Sequence, residues 1–155
     1  MNQFLEKFID SVFGKPGKAL DLGAGLFLDV KGLKQKGWKC EGVDLNTGVD
    51  LEFPYWSENA PFDLVFSNYV LQKLKNKKQF VKTAFENLRK NSWLFIHTFD
   101  KSDKTGSSDI TQESLKEILI DAGFKNIKAR LIDYFDDEPG HNHWHKILEV
   151  TAQKG

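Results

Sequence analysis

Apolar positions follow two patterns along this chain: a helical spacing in some segments and short unbroken runs, typical of buried strands, in others. Between residues 2 and 13 the apolar side chains are spaced as on one helix face, and the turn-forming GKPG follows; this pattern predicts an amphipathic helix. Short runs that are apolar at almost every position are typical of strands covered on both faces. They predict strands at residues 18–22, 38–45, 62–67, 92–99, 125–135 and 145–153.

Helical patterns separate most of these strands. They fall at residues 26–36, 69–74, 77–90 and 112–122. Thr111 is expected to cap the last of these helices and Gly123 to end it. The alternation predicts an open α/β sheet, in which ligands bind beyond the carboxyl ends of the strands.

The segment after the strand at 38–45 breaks the alternation. The sequence GVDL occurs at residues 42–45 and again at 48–51, which leaves no room for a helix between the second strand and a third one. The third strand is therefore expected either as a short edge piece near residues 48–52 or not at all.

Composition narrows the classes of protein. The length of 155 residues predicts one domain, spanning 1–155. The 22 basic and 22 acidic residues balance, so the net charge does not indicate a nucleic-acid or anionic-membrane partner. The lysines between residues 72 and 82 are interpreted as a solvated helix face. With no membrane-spanning apolar run and no signal-peptide pattern, we expect a cytoplasmic protein.

The stretch ALDLGAGLFLDV, residues 19–30, contains the first candidate ligand-binding loop. Gly23 and Gly25 follow a predicted strand, and glycines there let the backbone approach a ligand closely. Asp44 ends the next strand about twenty residues later, where a carboxylate can accept the hydroxyls of a ribose. The alternative for Asp44 is a solvated strand-end carboxylate. A dinucleotide loop would need a third glycine at position 28, and Leu28 disfavours NAD without excluding it.

The order of these motifs resembles the class I S-adenosylmethionine-dependent methyltransferases, in particular small domains of the type 11 and type 12 kind. ALDLGAG is similar to the first motif of that family and EGVDLN to the second. GVDLEFP and FDLVFSNYVLQKL resemble the third and fourth, and LKEILIDAGFKNIK resembles a later helix and strand. The resemblance covers most of the chain.

The resemblance implies a Rossmann-like, mostly parallel sheet of order 3-2-1-4-5-7-6 with strand 7 antiparallel, and S-adenosylmethionine as cofactor. Asp21, Gly23 and Gly25 would hold its methionine part, and Asp44 its ribose. Leu45 would pack on the adenine, with Asp50 near the exocyclic amine. The full cofactor-binding set that the resemblance implies is Asp21, Gly23, Ala24, Gly25, Asp44, Leu45, Asp50, Leu51, Ser67 and Asn68.

The chain departs from the family pattern at three places. Phe27 stands where a third glycine is frequent, and Asn91-Ser92 replaces a pair of glycines before the fifth strand. The first change is tolerable because S-adenosylmethionine has no pyrophosphate to seat on the helix. The helix between strands 2 and 3 is also missing, and this region normally covers the adenine, so weak affinity or another covering segment is expected.

Three side chains are candidates for acceptor chemistry. Tyr69 and His97 follow predicted strands on the ligand side of the sheet, and His143 lies in PGHNHWHK. A packing or hydrogen-bonding role is the alternative for Tyr69 and His97. The alternating His141, His143 and His145 would share one face of an extended strand and could bind a metal. A polar turn is the simpler interpretation of this cluster, and no metal is assigned.

We therefore interpret the chain as a methyltransferase whose acceptor the sequence does not identify. A catalytically inactive domain that binds the cofactor or a partner is the first alternative, and an NAD-dependent Rossmann enzyme is the second. Because little chain is left to enclose a small substrate, three arrangements stay open: an open site, a larger acceptor, or closure by a partner subunit in a homo-oligomer.

Overall fold

Six strands form one mixed sheet in the computed structural model, which describes residues 1–155. The strands are β1 (Lys18–Leu22), β2 (Lys39–Val43), β3 (Phe62–Asn68), β4 (Leu88–Phe99), β5 (Phe124–Asp136) and β6 (His143–Lys154). Their order in the sheet is β2-β1-β3-β4-β6-β5. The first four run parallel, and β6 is antiparallel to both of its neighbours. The α/β class and the antiparallel last strand are thus confirmed.

Two helices cover each face of the sheet, and alternate strand residues face them. One face packs against α1 (Gln3–Val12) and α2 (Leu28–Gln35), and the other against α3 (Lys77–Asn87) and α4 (Gln112–Ala122). The core under α1 and α2 consists of Leu5, Ile9, Ala19, Val30, Leu33, Trp38, Cys40, Leu64, Phe66 and Phe95. None of the helices is long and apolar enough to cross a bilayer.

Of the two expectations for the third strand, a short edge piece or none, the structure shows the second, so the order 3-2-1-4-5-7-6 implied by the resemblance is wrong at its first position. Asp44 instead caps a single 3-10 turn, Leu45–Thr47, which ends at Gly48 with φ +88°. The amide of Val49 then donates back to the carbonyl of Asp44 at 3.1 Å. Because these local turns use the backbone groups, no strand pairs with the outer edge of β2.

Three predicted helices are several residues shorter than their sequence patterns; the first, α3, ends at Asn87 rather than at residue 90, because β4 begins at Leu88. The stretch 69–74 contains only a 3-10 turn, Leu71–Lys73, because Tyr69 has a left-handed backbone with φ +63°. Similarly, α2 begins at Leu28 rather than at residue 26, because Phe27 is left-handed with φ +64°. The capping of α4 is as predicted: Thr111 accepts a hydrogen bond from the amide of Ser114, and the helix ends at a left-handed Gly123.

Candidate functional site

The loop after β1 is anchored on the end of β2. The amides of Gly23 and Ala24 both donate to the carbonyl of Val43, at 2.9 and 2.8 Å. Gly23 has φ +91°, and an added Cβ would lie 2.3 Å from the Cγ2 atom of Val70. A side chain at this position would therefore both strain the backbone and collide with the segment that follows β3.

Gly25 faces open space instead. Its φ is +55°, and an added Cβ would have no neighbouring atom within 4 Å. Phe27 has the left-handed conformation that a third glycine would favour, at a cost of about 1–2 kcal/mol. Its side chain is partly buried and packs against the core under α1 and α2. Packing thus compensates for the missing glycine, and the space beside Gly25 stays free for a ligand.

Asp44 lies next to this loop, as the sequence spacing predicts. Its Oδ1 atom accepts a hydrogen bond from the amide of Gly25 at 3.3 Å, and its Oδ2 atom accepts one from the amide of Asn46 at 3.2 Å. The amide of Asp44 in turn donates to the hydroxyl of Thr47 at 2.9 Å. These bonds hold the half-buried carboxylate at the end of β2, beside the open space at Gly25.

Asp21 is the most unusual group of the site. Its side chain is on the α1 and α2 face at the end of β1, and the residue is only 3% exposed. Burial, with added repulsion from Asp29 and Asp44, raises the pKa of this carboxyl to about 8. No hydrogen bond or positive charge opposes the shift. The Asp29 and Asp44 carboxylates and the Asp21 carboxyl, which a nearby cation would ionise, make the site suited to a cationic ligand.

A polar network connects Asp29 with the N-terminus of α1. The Asp29 carboxylate accepts the amide of Asn2 at 2.7 Å and the side-chain amide of Asn68 at 3.0 Å. The Oδ1 atom of Asn68 accepts a third hydrogen bond, from the Asn2 side chain, at 3.1 Å. The sequence analysis missed Asn2 and Asp29, although an asparagine directly before an amphipathic helix is a typical N-cap signal.

The other cofactor-binding residues implied by the resemblance fall into two groups. Leu45, which is 72% exposed, and the exposed Asp50 lie on the surface beyond β2. Leu51 is instead a core residue and is 4% exposed. Ser67 is fully buried and donates its hydroxyl to the carbonyl of Leu22 at 2.8 Å. The side chains of Leu51 and Ser67 therefore serve packing and strand connection.

A cavity of about 800 Å³ lies next to Asp29, beyond the ends of β3 and β4. Aromatic and acidic side chains dominate its wall, which also includes residues of the hairpin between β5 and β6. The wall includes Phe4, Asp29, Tyr69, Phe99, Asp136 and His145. No lysine or arginine lines this cavity.

Tyr69 is the one catalytic candidate from the sequence that lines the cavity. Its left-handed backbone donates an amide hydrogen bond to the carbonyl of His97 at 2.8 Å, and its ring packs 5.2 Å from that of Phe99. Burial, together with the nearby Tyr134, Asp136 and Asp29, raises its pKa to about 12. Tyr69 therefore keeps its proton at neutral pH, so its hydroxyl can donate a hydrogen bond but cannot serve as a base.

The other two candidates lie elsewhere. His97 is completely buried; its Nε2 atom lies 2.9 Å from the carboxylate of Glu149, which also binds Arg130 at 2.6 Å. His97 does not line the cavity; it links β4 to Glu149 on β6, and a catalytic role for it stays a prediction. His143 is half-buried at the start of β6 and also lies outside the cavity wall.

Comparison with known proteins agrees with the fold. A family model described as a methyltransferase domain matches residues 1–129. No curated protein matches the sequence significantly. The fold is similar to a methyltransferase from Archaeoglobus fulgidus described as SAM-dependent, with a TM-score of 0.73 and 16% identity over 98% of this chain and 92% of that one.

Two solved complexes show the same fold. One is the Burkholderia thailandensis 1,6-didemethyltoxoflavin-N1-methyltransferase with S-adenosylhomocysteine: TM-score 0.72, 20% identity, and 96% of this chain and 75% of that one covered. The other is the Haemonchus contortus phosphoethanolamine N-methyltransferase 2 with S-adenosyl-L-methionine: TM-score 0.77, 16% identity and 99% of this chain covered. This chain spans 52% of the Haemonchus protein. The match to the family model over most of the sequence shows that the chain belongs to the methyltransferase-domain family.

Proposed function

We propose that this chain binds S-adenosylmethionine at the loop after β1 and transfers its methyl group to an acceptor in the adjacent cavity. The observation that carries the proposal is Asp21, a buried carboxyl that no protein cation or hydrogen bond stabilises. S-adenosylmethionine has a sulfonium and an ammonium group, which the carboxylates of Asp21, Asp29 and Asp44 attract. The pyrophosphate of NAD would be repelled by the same charges.

Each residue of the site has a role in this proposal. Asp44 accepts hydrogen bonds from the ribose hydroxyls, and Leu45 offers an exposed apolar side chain to the adenine. Gly25 leaves the space through which the cofactor approaches the backbone. Asp21 binds the ammonium group, and Asn68 lies at the methionine end through its bond to Asp29. Asp50 remains the proposed neighbour of the adenine amine.

The cofactor supplies an electrophilic methyl group, so the protein has to align the acceptor and exclude water. Phe4 and Phe99 provide apolar walls of the cavity, and Tyr69 donates a hydrogen bond that orients the acceptor. The acidic wall without lysine or arginine favours a neutral or cationic acceptor over an anionic one. The acceptor itself is not identified.

Binding without catalysis is a second candidate function, and one observation favours it. Because β2 has no outer neighbour, the adenine side of the site is covered only by the turn at residues 45–47 and the loop that follows it. A domain that binds cofactor but releases no S-adenosylhomocysteine with any of a panel of amine, hydroxyl and thiol acceptors would fit this alternative.

Isothermal titration calorimetry tests the binding step. S-adenosylmethionine and S-adenosylhomocysteine should bind with micromolar affinity, whereas NAD should not bind. Asp44→Ala should weaken binding more than tenfold, and Asp121→Ala, which changes an exposed carboxylate on α4, should leave it unchanged. Failure of S-adenosylmethionine to bind the folded protein would refute the proposal, and unchanged affinity in Asp44→Ala would refute the ribose assignment.

A further inference from the structure

The hairpin of β5 and β6 brings together three side chains of types that bind metals, one from β5 and two from β6. Asp136 pairs directly with His143, and Tyr134 pairs with His145. Because side chains alternate along a strand, these positions share one face of the hairpin. One ligand atom each from Asp136, His143 and His145 lies within 4.8 Å of the other two. The Oδ2 atom of Asp136 is 3.9 Å from the Nε2 atom of His145.

The buried carboxylate of Asp103 orients His145 through the Nδ1 atom, on the side of the ring away from Asp136. The Oδ2 atom of Asp103 lies 3.0 Å from the Nδ1 atom of His145 and accepts the amide of Lys146 at 2.8 Å. The Oδ1 atom of Asp103 accepts the amides of Thr105 and Gly106, both at 2.8 Å. The side chain of Asp103 is 0% exposed. Since Asp103 only accepts, the Nδ1 atom of His145 carries the proton, and its Nε2 lone pair is free on the side of Asp136.

This carboxylate-imidazole pair is the arrangement that orients metal-binding histidines in proteins. Packing fixes the ring further, since it lies 4.8 Å from the ring of Phe99 and 4.4 Å from that of His143. In a tetrahedral zinc site with bonds of about 2.0–2.1 Å, the ligand atoms are about 3.3 Å apart. The 3.9 Å between Asp136 and His145 therefore needs only a small closure of the side chains.

We propose that Asp136, His143 and His145 bind one divalent transition-metal ion, with Zn²⁺ as the best match. Two imidazoles and one carboxylate suit Zn²⁺, whereas Mg²⁺ and Ca²⁺ prefer oxygen ligands alone. Asp136 and His145 also line the acceptor cavity. Three protein ligands leave a coordination position for a water or an acceptor atom at its rim. This site is separate from the cofactor loop and does not depend on the proposed methyl transfer.

A second group in the same hairpin provides a matched control. His141 lies 2.9 Å from the carboxylate of Asp136 and, with Glu138, forms an alternative set of possible ligands. Both His141 and Glu138 are exposed, and no buried carboxylate orients His141. His141 therefore lacks the buried carboxylate that orients His145, and it is exposed where His143 is half-buried.

The test is a titration of the full chain, without a histidine tag, with Zn²⁺ by calorimetry and with Co²⁺ by visible absorption. We expect one equivalent of metal, loss of at least tenfold in affinity in His143→Ala, and a 10- to 100-fold loss in Asp103→Asn, in line with the ~10–100-fold cost of losing an outer-shell partner. His141→Ala should bind within about twofold of the parent. Circular dichroism of each variant shows whether it is folded.

Three results would overturn the site. These are no Zn²⁺ binding by the folded parent, equal affinity in parent and His143→Ala, and loss of binding in His141→Ala alone. Mg²⁺ binding as tight as that of Zn²⁺ would contradict the ligand chemistry. Binding of S-adenosylmethionine should be the same for parent and His143→Ala, which separates the outcome from that of the proposed function.

Discussion

Binding of S-adenosylmethionine should become tighter as the pH rises toward neutrality, because Asp21 must lose its proton to pair with the cofactor's ammonium group. Its buried carboxyl has a pKa of about 8 in the free protein. Roughly 1% of the carboxyl is then ionised at pH 6 and roughly a quarter at pH 7.5. If only the ionised form binds well, the association constant rises in proportion to that fraction.

The expected change is therefore about 20-fold between pH 6 and pH 7.5, or about 1.8 kcal/mol of binding free energy. The sign follows from linkage: an opposite charge favours the ionised form, so binding lowers the pKa of Asp21 and releases a proton. At pH 7 the release should approach one proton per cofactor. The comparison stops at pH 7.5 because the α-amino group of the cofactor itself titrates at about 8.

Calorimetry at several pH values measures both quantities. Titrations in two buffers with different ionisation enthalpies give the number of protons released. The affinities at each pH give the dependence of the association constant on pH. Asp21→Asn is the control, since its neutral side chain has a similar shape and no proton to lose. It should bind more weakly at pH 7.5 and show a much flatter dependence on pH.

A flat affinity between pH 6 and 7.5 in the parent, with no proton release, would refute the assigned role of Asp21. An equal pH slope in Asp21→Asn would also refute it, because the slope would then belong to another group.

Three further predictions concern the same elements. Because the pKa of Asp21 is raised in the folded state, the protein without cofactor should lose stability as the pH rises from about 4 to 8. In urea denaturation at pH 7, Asp21→Asn should have a free energy of unfolding higher than that of the parent by on the order of 3 kcal/mol. Gly25→Ala should weaken cofactor binding more than tenfold, whereas Gly140→Ala, with a similarly positive φ and equally open surroundings, should not; equal affinities would argue against the open space as a ligand site. Glu149→Gln should destabilise the protein by about 1–3 kcal/mol in urea denaturation because it weakens the bonds to buried His97, and the exposed Glu117→Gln should cost almost nothing.

The strands and the cofactor loop could be predicted because their signals are local. β1 has the bounds that the apolar run predicts, and the distance from Gly25 to Asp44 follows from one helix and one strand. The left-handed conformation of Phe27 was not foreseen, since it depends on packing of its ring in a core assembled from distant residues.

The missed features depend on contacts between distant parts of the chain. Asp103 lies in a polar stretch that reads as a plain loop, yet its carboxylate is buried against β6. Asp136 joins His143 through strand register, which the sequence does not specify. Leu51 lies in the segment that resembles the third family motif. Because no strand forms there, its side chain is buried in the core. Spacing alone therefore indicated the glycine loop and the hairpin histidines, but not the carboxylates of Asp103 and Asp136 beside those histidines.

The position of β6 has a consequence for the order of folding. This strand is the last in sequence but lies between β4 and β5, so β5 joins the sheet only through it. A nascent chain that still lacks residues 143–154 can pair only β1 to β4, with β4 as an unprotected edge. His97 would then also lack Glu149. We expect folding to complete after synthesis of the final strand rather than progressively from the N-terminus.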